Sequence, residues 1–492
     1  MAQLVFVADD GFNGRELWTT DGTARGTDLL ADIWPGGGPG NPTSLARLDT
    51  GRAIFAGTDP EHGNEPWITD GTAAGTHLIL DISAVESGFG GSSPRSFSPL
   101  DEGRVLFAAS DPEHGSEPWI TDGTAAGTQV LELVPGSTSG YVSGAFLALG
   151  DGRALFAASG ASGGTELWVT DGTSGGTQPV KDIYPGSSGS YPGASSGRGM
   201  ISLEDGRAIF SAEDDIHGRE LWISDGTEAG TTLLADLAPG TTSYSGSSSS
   251  YPLGSSPTNF TAIGPGRILF TASDPEHGNE LWFTDGSAEG TRLVLDLWPG
   301  RAPTYAGGTP TANSSGPGQI LSLGNGRALV SADDGVHGRE FWVTDGSAEG
   351  TSLLADIWPG GGSGNPGGAT SSYTPYPPYG PTGGPGGSLA LDGGGALFSA
   401  TDPVHGTELW FTDGTTEGTR LVADINRGLQ GYAGSTSSYF AALGEGRAIF
   451  TADDGVNGTE PWVTDGTSAG TYLLSNIYPG ATGSGAQGFL LL

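Results

Sequence analysis

The sequence predicts an all-β fold, a single nine-bladed β-propeller of four-stranded antiparallel blades. Three observations support this expectation. The motif E-L-W-x-x-D-G-T, with small variations, occurs nine times at a spacing of roughly 55 residues, which is typical of propeller blades and longer than a helical repeat. Each repeat divides into four strand-like segments separated by turn residues. The two chain ends carry complementary parts of one incomplete repeat, which favours a closed ring.

Composition and charge exclude several classes of protein. The 492 residues include 89 Gly, no Cys, and 56 acidic against 19 basic residues, a formal net charge of −37. Without Cys there is no disulfide, thiol nucleophile or Cys-ligated metal. The negative charge disfavours nucleic acid and anionic lipid. No apolar segment is long enough to span a bilayer, and the N-terminus lacks the basic region of a signal peptide. We expect a soluble protein without nucleic-acid partner or membrane insertion.

The four segments of each repeat, strands A to D, are clearest in the second repeat, at residues 44–48, 52–58, 65–70 and 76–82. Short turns rich in Gly, Asp and Asn separate them, which predicts three consecutive hairpins. Strand C is apolar on both faces, so both faces need a cover, and the neighbouring repeats are the available one. Length varies mainly in the D–A connections, which predicts that strand A is innermost.

The chain ends predict how the ring closes. The first segment, LVFVADD, is a strand B without a strand A, and the last, residues 488–492, is a strand A without a strand B. Pairing them removes exposed sheet edges. We therefore expect one domain over residues 1–492, with blade 1 split between 1–34 and 487–492. Two smaller rings are the alternative.

A Trp lies on strand C of every repeat. We expect these side chains to pack between adjacent blades, with each indole N–H bonded to a partner. Ligand binding is the alternative. The nine residues are Trp18, Trp67, Trp119, Trp168, Trp222, Trp282, Trp342, Trp410 and Trp462.

An Asp follows each Trp, where strand C ends in a turn. Its carboxylate can accept hydrogen bonds from the turn while the next Gly takes a positive φ. Calcium ligation is the competing interpretation, but the EF-hand spacing is absent, so we expect no metal and no cofactor. The nine residues are Asp21, Asp70, Asp122, Asp171, Asp225, Asp285, Asp345, Asp413 and Asp465.

Three other repeated positions have structural interpretations. Six repeats place a His in the B–C hairpin where the others have Asn13, Asn457 and Gly163, which favours a left-handed turn residue over a metal ligand or catalytic group. The Arg that opens strand B, such as Arg52, should pair with Asp70 of the same blade. The Glu before each Trp should cap the B–C hairpin, and Pro66 should lie where strand C has just begun or is bulged. The six His residues are His62, His114, His217, His277, His337 and His405.

With its nine copies of E-L-W-x-x-D-G-T, the chain resembles the bacterial ELWxxDGT-repeat proteins. Pro or Phe replaces Leu in four copies, and Ser replaces the last residue at Ser287 and Ser347. The resemblance covers essentially the whole chain. It implies a secreted or cell-surface, propeller-like protein, and it implies no established activity.

The sequence contains no pattern of a catalytic site, because an enzyme site needs different residues from different blades and the repeats supply the same ones. Singular residues such as Lys181 are scattered. We expect a non-enzymatic, monomeric, extracellular scaffold that binds glycan, peptide or protein through the D–A connections. A polysaccharide hydrolase or lyase and a calcium-stabilised adhesin are the alternatives. The D–A connections hold ten candidate binding tyrosines. These are Tyr141, Tyr191, Tyr244, Tyr251, Tyr305, Tyr373, Tyr376, Tyr379, Tyr432 and Tyr439.

Overall fold

The computed structural model is an all-β ring of nine four-stranded antiparallel blades, so the predicted fold class is confirmed. In every blade the strands lie in the order A–B–C–D. None of the helical segments in the described part of the chain has the length and apolar character that a membrane crossing requires. The structure describes residues 3–84, 90–136, 139–161, 163–193, 199–243, 250–303, 310–359, 388–392, 394–427, 434–435 and 437–492.

Strands B and C form the centre of each blade, where both faces of the sheet are covered by neighbouring blades. Their apolar residues are therefore buried on both faces. The B strands are Leu4–Asp9, Arg52–Asp59, Arg104–Asp111, Ala154–Ser159, Ala208–Asp214, Arg267–Asp274, Ala328–Asp333, Ala396–Asp402 and Arg447–Asp453. The C strands are Arg15–Thr20, Gly63–Thr69, Gly115–Thr121, Thr165–Thr170, Gly218–Ser224, Gly278–Thr284, Arg339–Thr344, Gly406–Thr412 and Thr459–Thr464.

Strand D forms the outer edge and strand A the inner edge of each blade. The D strands are Asp28–Ala31, His77–Leu78, Gln129–Val130, Gln178–Lys181, Thr232–Ala235, Arg292–Leu295, Ser352–Leu353, Arg420–Ala423 and Tyr472–Leu473. The A strands are Thr43–Asp49, Arg95–Asp101, Val142–Ala148, Met200–Ser202, Thr258–Gly264, Ile320–Ser322, Ser388–Ala390, Ser438–Gly444 and Gln487–Leu491.

Two D–A connections form hairpins of their own, and two C–D turns contain a single 3-10 turn. The hairpins pair Thr241–Ser243 with Ser250–Pro252 and Arg301–Pro303 with Pro310–Ala312. The 3-10 turns are Ala24–Gly26 and Ser174–Gly176. These additions lie outside the four-stranded sheets, so they change the rim of the ring and leave its blades unchanged.

The ring closes as the chain ends predict. The C-terminal strand pairs with the first one, Leu4 opposite Leu491 and Val5 opposite Leu490. The backbone N–H of Leu492 also donates to the carbonyl of Gln3 at 3.0 Å. Since the blade combines both termini, it leaves no open edge between blades 9 and 2.

The core consists of apolar layers between neighbouring blades. Trp168 of blade 4 packs with Leu106 and Ile120 of blade 3, and Trp222 of blade 5 packs with Leu155 of blade 4. Each layer joins strands B and C of one blade to the same strands of the next. The ring is therefore held by burial between blades rather than by a single central core.

The position of Pro in strand C differs from the prediction. Strand C of blade 2 begins at Gly63, three residues before Pro66, and Pro66 pairs opposite Ala56 of strand B. The carbonyl of Pro66 accepts from the N–H of Ile79 on the strand D side. The N atom of Pro66 faces that same side, where strand D is the outer edge of the sheet. Pro is tolerated inside strand C because the donor that it lacks would face strand D, the outer edge strand, and not the central strand B.

Candidate functional site

The inner strands surround the axis of the ring. Strand A of each blade pairs with strand B on one side only, and it contacts the A strands of both neighbouring blades around the full circle. The second edge of each A strand therefore faces the axis, with backbone N–H and C=O groups that no strand of the described chain pairs. The result is an axial channel with nine inward strand edges.

The wall of the channel carries mostly small side chains. One position of strand A lies next to the buried Leu or Ile that ends the strand, such as Leu48, which is 2% exposed, and Ile263, also 2% exposed. Because side chains alternate along a strand, this position lies on the opposite face of the sheet, and each of its nine residues is half-buried or exposed. Six of its nine residues are Ala or Ser. The nine are Arg47, Pro99, Ala148, Ser202, Ala262, Ser322, Ala390, Ala442 and Leu491.

Arg47 is the one charged residue at this position of the nine A strands. Its side chain is exposed, and its Nε donates to the carbonyl of Asp49 at 3.0 Å, which leaves the rest of the guanidinium group accessible. Arg47 was not predicted from the sequence, because the place of this residue in the ring depends on the register of strand A. Comparison of this one position across the nine repeats would have found it.

Four A strands carry a strained residue at the other end of the channel. Ser44, Ser96, Asn259 and Tyr439 have φ between 53° and 59°, in the left-handed region that non-glycine residues rarely adopt. In each strand the A–B register shifts beside this residue, as in a β-bulge. Such strain is concentrated at functional sites in proteins. Here it marks one level of the channel wall.

A cavity of about 380 Å³ opens at this level, between the A strands of blades 9, 1 and 2. Ser44, Leu45, Tyr439, Gly488 and Phe489 line it. The cavity combines apolar walls with hydroxyl groups, a combination typical of small-molecule and peptide side-chain pockets.

The Glu before each Trp holds the D–A connection, and not the B–C hairpin as predicted. Glu65 is fully buried and accepts hydrogen bonds from the backbone N–H groups of Ile82, Ser83 and Ser92 and from the hydroxyl of Ser92. Strand C directs its side chain toward the end of strand D, so the adjacent connection supplies the donors. Eight of the nine motif Glu residues, all except Glu166, are at most 1% exposed.

Burial also changes the acidity of these carboxyl groups. Burial raises the pKa of Glu16, Glu280 and Glu340 to about 7, although hydrogen bonds from backbone N–H groups oppose the shift. The pKa of Glu65 is raised for the same reason. Each blade therefore contains a buried acid at the end of strand C that faces the D–A connections.

The motif Asp at the opposite end of strand C is exposed and lies in its own turn. In blade 2 the backbone N–H of Thr72 donates to Oδ1 of Asp70 at 2.9 Å, and its hydroxyl donates to the same atom at 2.6 Å. These bonds, the hydroxyl bond first, lower the pKa of Asp70. Gly71 has φ 80°, as the turn requires.

The predicted Arg–Asp pair within a blade is wrong. Arg104 forms an ion pair with Asp101 of its own A–B turn, and its Nη1 donates to the backbone carbonyl of Asp171 in the next blade at 3.1 Å. The carboxylate that Arg104 binds therefore belongs to its own turn and not to the motif Asp of its blade. The remaining N–H groups of the guanidinium reach the next blade. In blade 1, Gln3 replaces the Arg and donates to the carbonyl of Gly71 in blade 2 at 2.7 Å. This position therefore links consecutive blades.

The His residues close the B–C hairpins by side-chain bonding. Nδ1 of His62 lies 2.8 Å from Oδ2 of Asp59, and Nδ2 of Asn13 donates to Oδ2 of Asp10 at 2.7 Å, which explains why His and Asn exchange. The left-handed residue is the glycine that follows, Gly63 with φ 77°, and not the His as predicted. In the described residues no group of three His, Asp or Glu is arranged to hold a metal ion.

The motif Trp side chains lie in the layers between blades, and most are buried. The prediction that every indole N–H finds a partner is wrong. Nε1 of Trp168 donates to the carbonyl of Ala158 at 3.1 Å, and Nε1 of Trp282 donates to that of Ala272 at 3.2 Å. The Nε1 atoms of the other seven are buried and have no partner among the described residues. These are Trp18, Trp67, Trp119, Trp222, Trp342, Trp410 and Trp462.

Four of the ten candidate tyrosines are described, and all four are exposed, three at D–A connections and Tyr439 on strand A of blade 9. Their exposed fractions are 55% for Tyr141, 47% for Tyr191, 49% for Tyr251 and 44% for Tyr439. Tyr439 also lines the channel cavity. The guanidinium group of Arg95 lies 5.7 Å from the ring centroid of Tyr141. The remaining six lie outside the described residues: Tyr244, Tyr305, Tyr373, Tyr376, Tyr379 and Tyr432.

No protein-family model matches the chain, and no curated protein matches it. Solved structures do. The chain is similar to puromycin hydrolase, with 16% identity, a TM-score of 0.35, and coverage of 84% of this chain and 58% of that one. It is similar to a puromycin-hydrolyzing peptidase of Mycobacterium tuberculosis, with 13% identity, a TM-score of 0.38 and the same coverages. It is also similar to prolyl oligopeptidase B of Galerina marginata, with 10% identity, a TM-score of 0.41, and coverage of 84% of this chain and 55% of that one.

The chain thus spans little more than half the length of these three proteins. At these values the likeness describes the backbone fold and assigns no residue a role. These three proteins are a hydrolase and two peptidases, and the expectation of a non-enzymatic extracellular binding scaffold acting through the D–A connections is wrong against them. That expectation came from the lack of a catalytic pattern in the repeated residues and from the tyrosines of the D–A connections. The repeated residues maintain the ring and carry no information about chemistry at its axis.

Proposed function

We propose that this protein takes part in peptide hydrolysis and that its axial channel holds the peptide in an extended conformation. The observation that carries the proposal is the row of nine inner strand edges that no strand of the described chain pairs, with mostly Ala and Ser side chains near their ends. An extended peptide can add to such an edge through backbone hydrogen bonds, because small side chains let its backbone approach.

Charge favours one class of peptide. The net charge of −37 attracts basic peptides and repels acidic ones before contact. The cavity beside Ser44 and Tyr439 offers an apolar pocket with hydroxyl groups for one side chain. The reaction class comes from the names of the solved structures. The holding of a basic, extended peptide comes from the geometry and charge of this chain.

Peptide binding before and after the channel is filled tests the proposal. The probe is a fluorescently labelled basic decapeptide, followed by anisotropy at low salt. The double variant Ala262→Trp, Ala442→Trp places two large rings on the channel wall, and we expect it to abolish binding. The matched control, Ile216→Trp with Val404→Trp, adds the same rings at two hairpin tips that are each 70% exposed. Binding that survives in the channel variant, or that is lost equally in the control, would contradict the proposal.

The same samples report on chemistry. Mass spectrometry of the peptide after incubation shows whether it is cleaved. Cleavage that disappears in the channel variant places the hydrolytic groups within reach of the channel. An intact, bound peptide places them on another domain or protein.

We also infer, from the repeated motif, membership of the ELWxxDGT-repeat proteins, with a secreted or cell-surface location as a monomer. Cell fractionation with light scattering of the purified protein tests this inference. An intracellular protein or a stable dimer would contradict it.

A further inference from the structure

Blade 4 differs from the other eight blades in the turn that joins strands B and C. Elsewhere an Asp bonds through its side chain to a His or Asn three residues later, as Asp59 does to His62. Blade 4 has Gly160 and Gly163 at these two positions. Gly163 has φ 87°, so the turn also follows a different backbone path. The space that two polar side chains fill in the other blades is left without them.

A cavity of about 570 Å³ occupies this place. Gly160, Gly164, Trp168, Lys181 and Asp182 are among its lining residues. A Cβ atom on Gly160 would lie only 2.8 Å from Cζ2 of Trp168, so the backbone packs close to the indole where the other blades carry an Asp. The volume lies within the range of small-ligand pockets.

Asp182, which directly follows strand D, lacks the neighbour that its counterparts have. The pKa of His62 is raised first by its hydrogen bond with Asp59 and further by the charge of Asp81, the corresponding carboxylate after strand D of blade 2. Asp81 is half-buried. Asp182 holds the same position in blade 4, faces no imidazole, and is exposed. Its carboxylate therefore borders the cavity where the other blades hold a histidine.

Lys181 adds a cation on the same wall. It is the only lysine of the chain, and strand D carries Ala31 and Ala235 at this position in blades 1 and 5. Its Nζ donates to the carbonyl of Thr231 in blade 5 at 2.8 Å. This bond fixes the ammonium group at the cavity and uses one of its three N–H donors.

We propose that this cavity, the blade-4 pocket, binds a zwitterion of the size of an amino acid. Its cationic group, an imidazolium or an amine, pairs with Asp182 in the place of the missing histidine. Its carboxylate accepts a hydrogen bond from Lys181. Lys181 and Asp182 then each bind a group of opposite charge. Hydrogen bonds between charged groups are stronger than those between neutral groups.

Titration with three probes tests the proposal: L-histidine, histamine, which lacks the carboxylate, and imidazole. We expect L-histidine to bind with a Kd of ~1 mM or below. Histamine and imidazole should bind more weakly. Amide shifts of Gly163 and Gly164 and the indole shift of Trp168, measured by NMR, should move together on binding.

Two substitutions separate the contributions. Asp182→Asn should weaken L-histidine binding about tenfold or more, which corresponds to 1.4 kcal/mol. Lys181→Met should weaken L-histidine binding and leave histamine binding unchanged. The control Asp236→Asn makes the same change in blade 5, where His217 is present, and should leave all binding unchanged. No saturable binding, or equal effects of Asp182→Asn and Asp236→Asn, would overturn the proposal.

Discussion

The two ends of strand C carry the same chemical group in opposite environments. At one end a Glu carboxyl is buried against the D–A connection, and its pKa is raised. At the other end an Asp carboxylate caps an exposed turn, and its pKa is lowered. In blade 5 these groups are Glu220 and Asp225, five residues apart. The difference in solvent access therefore decides the direction in which the pKa of each carboxyl group is shifted, because burial outweighs the hydrogen bonds that Glu220 accepts.

The buried end should be the more important for stability. Glu220 accepts from the N–H groups of Leu237, Ala238 and Ser255 and from the hydroxyl of Ser255. Glu220→Ala leaves these donors buried without a partner, and we expect the free energy of unfolding to fall by about 3 kcal/mol. Asp225→Ala removes two exposed turn bonds and should cost about 1 kcal/mol. Urea unfolding measures both. Equal losses of unfolding free energy in the two variants would contradict the claim that the buried Glu is the more important for stability.

The buried Glu residues of blades 6 and 7 differ in the number of hydrogen bonds that they accept. Oε2 of Glu340 has no partner among the described residues, whereas both oxygens of Glu280 accept hydrogen bonds. Glu280→Gln turns an amide NH2 toward a donor and should cost about 2 kcal/mol. Glu340→Gln removes a buried charge and should be neutral or stabilising at pH 8. Thermal unfolding of the two variants side by side measures the difference. A larger loss for Glu340→Gln would refute the argument.

The pH dependence of stability follows from the same shifts. The folded pKa of Glu16, Glu280 and Glu340 is about 7, above the ordinary 4.5, so their contribution is complete below 4.5 and is lost as pH rises toward 7. For Asp70 and Asp225, whose folded pKa lies below 3.8, the contribution is present above 3.8 and is lost as pH falls. Tm should therefore be highest at about pH 4–5. The variant with Gln at the three Glu positions should lose part of the decline between pH 5 and about 7. A Tm that keeps rising to pH 8 would contradict the assignment for the three Glu residues.

The smallest effect concerns the exposed links between blades at the Asp end. Arg104→Ala removes the bond to the carbonyl of Asp171 together with a surface ion pair, and should cost less than about 1 kcal/mol. Arg104→Gln should cost less again, because Gln3 makes the equivalent bond in blade 1. Urea unfolding of both variants checks the order. A Gln variant as unstable as the Ala variant would show that the ion pair with Asp101 is the important contact.

The fold could be predicted because periodicity, turn residues and the split repeat all report on backbone pairing, which is local in sequence. Contacts across blades could not. Arg104 reaches a carbonyl 67 residues away, and Glu65 selects donors from the D–A connection because of the direction of its side chain. Arg47 and the blade-4 pocket were missed for a further reason. Their significance lies in departures from the repeat, and only the register of the strands shows which positions correspond.

The axial channel is tested most directly by locating a bound peptide. A basic decapeptide with a photoreactive residue at its centre can be crosslinked to the protein and the site mapped by mass spectrometry. If the channel holds the peptide, we expect crosslinks in the A strands, around residues 43–49 and 258–264. These crosslinks should be lost in the variant Ala262→Trp, Ala442→Trp. Crosslinks confined to the D–A connections or the outer D strands, unchanged in that variant, would contradict it.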